Sequence, residues 1–243
     1  MVQTGRVPTS RAAHRAQTLD AITAIGRAHL STYGAAGLSL RAVARDLGVV
    51  SSAVYRYVPS RDDLLTLLVV DAYAELGEAA RAADAAVPRS NHLGRWRAVA
   101  HAVRAWALAS PSRYGLVFGT PVPGYRAPAE QTTAPGTIVI ALLLAIAAEA
   151  QAAGAVPTAA SGGVPASVRH DGERVREQFD LVLGDEMLAA ALLAWVTLFG
   201  AVSFEVFGQY GPDTFSEPAA TFTVLVDLLA SVLGLTPTLQ PST

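Results

Sequence analysis

Apolar side chains recur along most of the chain at the three- and four-residue spacing of α-helices. Residues 12–33 show this spacing first, and the pattern is typical of an amphipathic helix with one buried face. Its apolar positions are Ala16, Leu19, Ile22, Ala24, Ile25 and Leu30. Further helical patterns cover about 61–86, 92–109, 111–118, 132–153, 176–208 and 216–234. Strand-type alternation is nowhere sustained, so the pattern predicts an all-α protein.

Two shorter helices are predicted between the first and the fourth helix. Ser39 is a candidate N-cap for a helix over 40–47, and Gly48 stands where a left-handed residue would end it. A third helix, about 51–57, stops before Pro59. Ser60 and Asp63 then form a candidate capping box, so the fourth helix should begin there.

Proline and glycine interrupt the helical pattern twice in the second half of the chain. Residues 119–136 contain four prolines, and residues 154–172 contain four glycines and two prolines. Such stretches are typical of loops. We therefore predict two loops here, the second of them mobile.

The charge distribution is asymmetric, although the net charge is only −2. Residues 1–61 contain eight arginines and two aspartates, a formal charge of +6, whereas the remainder has ten arginines and eighteen acidic residues, a formal charge of −8. A basic head on an acidic body indicates a polyanionic partner for the head alone. All eighteen cations are arginine, and we attribute this to genomic codon bias.

The absence of cysteine excludes disulfides, thiolate metal sites and a cysteine nucleophile. The first thirty residues have no uninterrupted apolar segment of the kind that a secretory signal requires. None of the five histidines forms an i, i+4 pair, and no phosphate-loop, dinucleotide or serine-hydrolase motif is present. We expect a cytoplasmic protein without metal or cofactor, and not an enzyme.

The two short helices have the pattern of a helix-turn-helix. Ala44 is small enough for the next helix to approach, Gly48 turns the chain, and Val49 and Val54 fill the crossing. The second helix of such a pair fits the major groove of DNA. Ser51, Ser52 and Ala53 lie at its front, where they can contact base edges, and Tyr55, Arg56 and Arg61 can reach phosphates.

The stretch "LSLRAVARDLGVVSSAVYRYVPSRDDLL" resembles the DNA-binding domain of TetR-family transcriptional regulators. Arg41, Leu47-Gly48, Tyr55-Arg56-Tyr57 and Arg61 match the positions of the family pattern. The resemblance implies that Tyr55 binds the DNA backbone, that Ser51, Ser52 and Ala53 read bases, and that Arg61 pairs with phosphate. One departure is Val50, which stands where the family usually has a serine or threonine N-cap; Ser51 is the alternative cap.

The body resembles a ligand-binding subfamily of the same regulators, through "SPSRYGLVFGTPVPGY" and "AWVTLFGAVSFEVFGQY". That subfamily often has Trp-His-Gly where this chain has Trp195 and Leu198-Phe199-Gly200. We therefore predict a basic arm at 1–10, a helix-turn-helix domain at 11–58, an effector-binding and dimerisation domain at 59–235, and a tail at 236–243. The resemblance implies DNA release when a small molecule binds.

Residues 187–204 carry no charge, so this segment has the length of a membrane-spanning helix. The alternative is a helix buried on all sides. Because basic flanks and a second comparable segment are missing, we favour the buried helix and no membrane association. Part of its face, together with the 216–234 helix, is then available to a twofold partner in a homodimer.

Five aromatic residues of the body are candidates for an apolar effector pocket, with core packing as their alternative role. They are Trp106, Tyr114, Phe118, Trp195 and Phe199. The sequence thus predicts a homodimeric, ligand-responsive repressor that binds a near-palindromic DNA operator. A helical small-molecule-binding protein or enzyme that does not bind DNA is the alternative.

Overall fold

A computed structural model describes residues 10–158 and 163–235 of the chain. The described residues form eleven α-helices and one 3₁₀ turn, Ala35–Gly37, without a β-strand. The helices are α1 (Ser10–Tyr33), α2 (Leu40–Asp46), α3 (Ser51–Tyr55), α4 (Arg61–Ala85), α5 (His92–Ala109), α6 (Pro111–Phe118), α7 (Ala129–Gly136), α8 (Ile138–Ala152), α9 (Ala166–Phe179), α10 (Asp185–Val206) and α11 (Pro218–Val232). The predicted all-α class is confirmed.

The chain divides into two compact units. The first contains the described residues up to Tyr73 together with Pro111–Thr133, and the second contains Ala74–Ser110 and the described residues from Ala134 onward. The predicted arm at 1–10, apart from the first residue of α1, and the predicted tail at 236–243 lie outside the described residues. The sequence-based domain division stays a prediction.

The core of the first unit joins α1, α2, α3 and the first half of α4. Its buried residues are Ile22, Leu30, Leu38, Leu40, Val43, Ala44, Val54, Val58, Leu64, Leu65 and Leu68. Leu116 of α6 and Val122 and Tyr125 of the following segment pack against this core. The Tyr125 hydroxyl is also 3.0 Å from Oγ1 of Thr66 in α4. The segment that follows α6 therefore packs with the short helices in the first unit.

The second unit is built around α5, α8, α10 and α11, which pack against one another. Trp96 of α5 is 1% exposed, and its indole N–H donates a 3.0 Å hydrogen bond to the Val226 carbonyl of α11. The guanidinium of Arg95 is also fully buried, and its Nε lies 2.7 Å from Asp84 and its Nη1 2.5 Å from Glu149. The unit thus contains a paired charge at one side of an apolar core.

The predicted loop over 119–136 is wrong in its second half, because residues 129–136 form α7. Pro128 precedes this helix, and its carbonyl accepts hydrogen bonds from the amides of Gln131 and Thr132 and from the Thr132 hydroxyl. Proline is well suited to the start of a helix because it has no N–H to leave unpaired there. Pro135 falls in the last turn, where it ends the helix instead of preventing it.

The predicted loop over 154–172 is wrong from residue 166 onward, where α9 begins; residues 159–162 lie outside the described part. Gly172 is buried within α9, and a Cβ there would lie 2.9 Å from Leu188 of α10. This glycine therefore permits close packing of two helices. The helix predicted over 176–208 is also interrupted, because Asp180 has φ 50° and ends α9 before α10 starts at Asp185.

Among the described residues, α10 is the one single helix that is long and apolar enough to cross a membrane, with mean hydropathy 2.1. Helices α7 and α8 reach that length and hydropathy only when taken together, and the pair is bent by 40°. Helix α10 packs against α5, α8, α9 and α11. Ala190, Ala194, Leu198 and Val202 are buried along its inner side. This packing accounts for the apolar residues on the inner side of α10. The prediction of a helix buried on all sides is wrong, because Leu193, Val196 and Phe204 are exposed.

Candidate nucleic-acid interface

The turn between α2 and α3 follows the predicted pattern. The Ser39 hydroxyl caps α2 by accepting a 3.4 Å hydrogen bond from the Ala42 amide. Gly48 has φ 73°, a left-handed conformation that costs glycine little. The amides of Gly48 and Val49 donate to the carbonyls of Arg45 and Ala44, both at 3.0 Å, and so satisfy the end of α2 in a Schellman arrangement.

Helix α3 buries one side and presents the other. Val54 is 1% exposed and Val58, just after the helix, is 3% exposed, so both anchor the helix in the core of the first unit. Ser52, Tyr55 and Arg56 are exposed. These three of the residues predicted to contact DNA therefore lie on the side of α3 opposite its packing face.

The three predicted base-reading residues occupy the first turn of α3. Ser51 begins the helix and is half-buried, as is Ala53, whereas Ser52 is exposed. The N-cap position falls on Val50, which is 72% exposed and makes no side-chain cap hydrogen bond. The departure from a serine or threonine cap is thus real in this chain, and Ser51 lies inside the helix.

The predicted phosphate-binding residues differ in exposure and in the contacts they make within the protein. Tyr55 is 41% exposed, and Arg41 and Arg56 are exposed. Arg61 is half-buried, and its Nη2 donates a 2.7 Å hydrogen bond to the Ala35 carbonyl. Tyr57 is half-buried beneath the guanidinium of Arg15, which lies 5.5 Å from the ring centroid. Arg61 and Tyr57 therefore also have packing roles inside the head.

Sequence reasoning did not single out three basic residues of α1 that lie beside α3. Arg11, His14 and Arg15 line an open groove of about 540 Å³ with Ala12 and with Arg56 and Tyr57. The i, i+3, i+4 spacing of the three residues places them on one helix face. That spacing was a visible signal, but only the tertiary fold shows that this face adjoins the end of α3.

Helix α4 begins at the predicted place. The Asp63 amide donates a 3.1 Å hydrogen bond to Oγ of Ser60, and the Ser60 hydroxyl donates at 2.6 Å to the Asp63 carboxylate. The carboxylate thus binds the capping hydroxyl instead of the Ser60 amide. Asp62 and Asp63 also place negative charge at the positive end of the helix dipole.

The five aromatic residues predicted to line an effector pocket fall in both units. In the first unit, Tyr114 is fully buried and its ring centroid lies 5.0 Å from that of Phe118. In the second unit, the Trp106 indole donates a 3.1 Å hydrogen bond to Glu75. Trp195 and Phe199 lie one helical turn apart on α10, with ring centroids 6.2 Å apart. Glu75 is thus a polar neighbour that the sequence did not indicate.

Large apolar side chains are exposed on α10 and α11, which adjoin in the second unit. Leu193, Val196 and Phe204 lie on α10, Phe207 directly follows it, and Val224 and Leu228 lie on α11. Each of these side chains is 44–60% exposed. We call this set the α10–α11 face. Clustered exposed apolar residues are typical of protein–protein contact surfaces.

Titratable groups in the described residues do not form a metal site, since no group of three or more His, Cys, Asp or Glu lies close enough there to hold an ion. His29 is buried and paired with Asp46, and His170 is exposed and paired with Glu173. Burial lowers the pKa of His101, and the nearby Arg104 lowers it further. His29 and His170 thus pair with carboxylates of the protein, and the three histidines do not converge on a common metal site.

The C-terminal part of the chain, residues 96–229, matches a family described as "Tetracyclin repressor-like, C-terminal domain". HTH-type transcriptional regulator Rv1816 of Mycobacterium tuberculosis H37Rv is 43% identical over 239 residues, which cover 96% of this chain and 99% of that protein. The Trp-His-Gly subtype is not part of the matched description and stays a prediction.

Two solved structures are similar along most of the chain. The regulatory protein SCO4313 is 33% identical with a TM-score of 0.72, covering 93% of this chain and 100% of that one. A tetR-family regulatory protein from Rhodococcus RHA1 has a TM-score of 0.57 at 17% identity, covering 90% and 97% of the two chains, and so shows the shared fold alone.

Proposed function

Because this chain belongs to the TetR family of transcriptional regulators, we propose that it is a ligand-responsive repressor that binds a near-palindromic operator as a homodimer. The family consists of DNA-binding regulators and not of enzymes. The observation that carries the proposal is the exposed surface of α3, where a hydroxyl side chain, an aromatic hydroxyl and a guanidinium face away from the core.

In the proposed complex α3 enters the major groove. Ser51, Ser52 and Ala53 contact base edges, because the first residues of a recognition helix come closest to them. Tyr55, Tyr57, Arg41, Arg56 and Arg61 contact the DNA backbone; Arg61 does so with the guanidinium nitrogens that do not bind the Ala35 carbonyl. Backbone contacts supply most of the affinity, and base contacts supply sequence preference.

The homodimer forms through the α10–α11 face. An exposed apolar surface of two adjacent helices is self-complementary when a twofold axis pairs it with its own copy. Two heads related by such an axis must present α3 at successive major-groove faces, about 34–36 Å apart, so the operator is a near-palindrome. Burial of the same face also supports a water-soluble, cytoplasmic protein in preference to a membrane-inserted one.

The effector is a largely apolar small molecule that contacts the aromatic residues Trp106, Trp195 and Phe199 of the second unit. Glu75, bonded to the Trp106 indole, supplies a polar group nearby. Release of DNA requires the effector to bind the DNA-incompetent state more tightly than the competent one, which is a population shift. Trp195→Leu and Phe199→Leu should raise the effector concentration needed for release without weakening the effector-free complex.

Fluorescence anisotropy with the DNA upstream of the chain's own gene tests the proposal. The expected result is salt-dependent binding that is tighter than binding to a scrambled duplex of equal length. Absence of measurable duplex affinity at low salt would refute DNA binding by this chain. It would favour the second candidate, a helical small-molecule-binding protein, for which the adjacent Trp195 and Phe199 of α10 are the supporting feature.

A further inference from the structure

The groove between α1 and α3 is lined by basic side chains from two helices. Arg11, His14 and Arg15 come from the first turns of α1, and Arg56 comes from the end of α3. Ala12 and Tyr57 complete the lining, and none of the described residues that line the groove is acidic. The groove lies beside the recognition helix and not on its base-reading turn.

The arrangement is electrostatically unfavourable in the free protein. Arg11 and Arg15 are four residues apart on one face of α1, a spacing at which like charges repel. They also lie at the amino end of the helix, where the dipole disfavours cations, and the first turn of α1 contains no acidic residue. Such a cluster becomes favourable when an anion binds in the groove.

One of these cations is held in place by the protein. The Arg15 guanidinium lies over the Tyr57 ring at 5.5 Å, a cation–π contact that fixes its position relative to the end of α3. Within the described part of the chain, Arg11, His14, Arg15 and Arg56 form no ion pair with a carboxylate. These basic side chains are therefore available to a ligand.

We propose that this groove binds a backbone phosphate of duplex DNA next to the segment that α3 reads, and that protonation of His14 strengthens this contact. The inference rests on the proposed DNA binding and adds a second contact surface to it. Arg11, Arg15 and Arg56 supply charge at every physiological pH, whereas an imidazole gains its charge between about pH 8 and pH 5.

The sign of the pH effect follows from linkage. Phosphate binds the imidazolium more tightly than the neutral ring, so DNA binding takes up a proton at His14 and affinity rises as the pH falls. The groups that face His14 are Arg11 and Arg15 on its own helix and Arg56 and Tyr57 from α3. The other histidine of α1, His29, lies near the far end of the helix, where it is buried against Asp46, and it does not line the groove.

The salt dependence of binding measures the contact directly. Neutralising one more phosphate steepens the slope of log K against log salt by about one unit. The experiment uses the full chain and a mixed-sequence duplex, because the phosphate contribution is independent of sequence. Slopes are measured at about pH 5.5 and about pH 8, on either side of the imidazole transition, for wild type, His14→Gln, His14→Arg and Arg15→Gln.

The wild-type slope should be steeper by about one unit at the lower pH. His14→Gln should show the shallow slope at both pH values, His14→Arg the steep slope at both, and Arg15→Gln a loss of about one unit at both. His170→Gln, an exposed histidine on α9, is the matched control and should retain the pH dependence. Circular dichroism establishes that each variant is folded.

Two results would overturn this inference while leaving the proposed function intact: a wild-type slope that is independent of pH, or a pH-dependent slope that persists in His14→Gln. Absence of wild-type binding to any duplex at either pH would instead overturn the proposed function, and this inference with it.

Discussion

The Asp46 carboxylate accepts a 2.6 Å hydrogen bond from Nε2 of His29, which ties the last turn of α2 to the buried side of α1. His29 is 6% exposed, and its Nδ1 has no hydrogen-bond partner within the described residues. The ring is therefore fixed in one orientation by a single polar contact. This contact therefore links α2 to α1 in addition to the buried core residues of α2, and α3 follows α2 across the Gly48 turn.

The His29 hydrogen bond, and after it the bond from Arg45, hold the pKa of Asp46 below its usual 3.8. A carboxyl group whose pKa is lowered on folding stabilises the fold above its unfolded pKa, and this contribution is lost as the pH falls through the folded value. We expect Asp46→Asn to be less stable than wild type at neutral pH, with a gap that narrows below about pH 4.

Urea unfolding of both proteins from neutral to acid pH measures that gap. Ser52→Ala, on the exposed side of α3, is the control and should show a pH-independent difference. A stability gap between wild type and Asp46→Asn that stays constant into acid would contradict the assignment of the lowered pKa to this pair.

Substitutions at Ser52 and Tyr55 should affect DNA binding differently, because Ser52 is proposed to contact bases and Tyr55 the DNA backbone. Tyr55→Phe removes one exposed hydroxyl, so affinity should fall by about 1 kcal/mol for all sequences alike. Ser52→Ala should change the preferred sequence, because its hydroxyl lies in the turn nearest the bases. Binding to a randomised operator library measures both effects, and Tyr33→Phe, at an exposed position at the end of α1, is the control. An unchanged preference in Ser52→Ala would exclude this residue from the reading surface.

A charge on the α10–α11 face should prevent dimer formation. Val196 is 60% exposed in the isolated chain, and Val196→Asp would bury a carboxylate in the apolar interface, where it has no partner. Light scattering should show a monomer for this variant at concentrations where wild type is a dimer, with weaker operator binding. Val182→Asp, at a 91% exposed position before α10, should remain dimeric. A dimeric Val196→Asp would place the interface elsewhere.

The buried pair of Arg95 and Asp84 should be sensitive to loss of one partner. Arg95 is fully buried, and Asp84→Ala removes one of the carboxylates that offset its desolvation. We expect a loss of about 3–5 kcal/mol in the free energy of unfolding. Arg97→Gln breaks a pair of similar geometry that is about 40% exposed, and should cost less than about 1 kcal/mol. Equal losses in the two variants would show that burial of the pair is unimportant.

The effect of a substitution at Gly48, in the turn between α2 and α3, on stability should come from backbone conformation alone. A Cβ at Gly48 would meet no atom within 4 Å, so Gly48→Ala introduces no clash. The left-handed φ of 73° should still cost alanine about 1–2 kcal/mol of stability. Gly48→Asn should cost less, since asparagine tolerates this region. Thermal unfolding of both variants measures the difference, and a neutral Gly48→Ala would contradict the left-handed turn.

Local sequence determined the helices of the head, because their ends are set by short-range chemistry: the Ser39 hydroxyl, the glycine at 48, and the Ser60 and Asp63 pair. The same is true of the helices over 92–109 and 111–118. Two stretches rich in proline and glycine were predicted as loops but contain helices α7 and α9, because some of these residues have other roles. Pro128 starts α7, and Gly172 allows α9 to approach Leu188.

Tertiary structure decided which surfaces adjoin. The sequence determined the family pattern and the predicted recognition residues, since both follow from spacing within one short segment. It did not reveal that Arg11, His14 and Arg15 lie beside Arg56, that Arg61 binds the Ala35 carbonyl, or that residues 111–133 pack with the head. These contacts join residues far apart in the chain, and their proximity depends on how the helices pack, which periodicity within one helix does not specify.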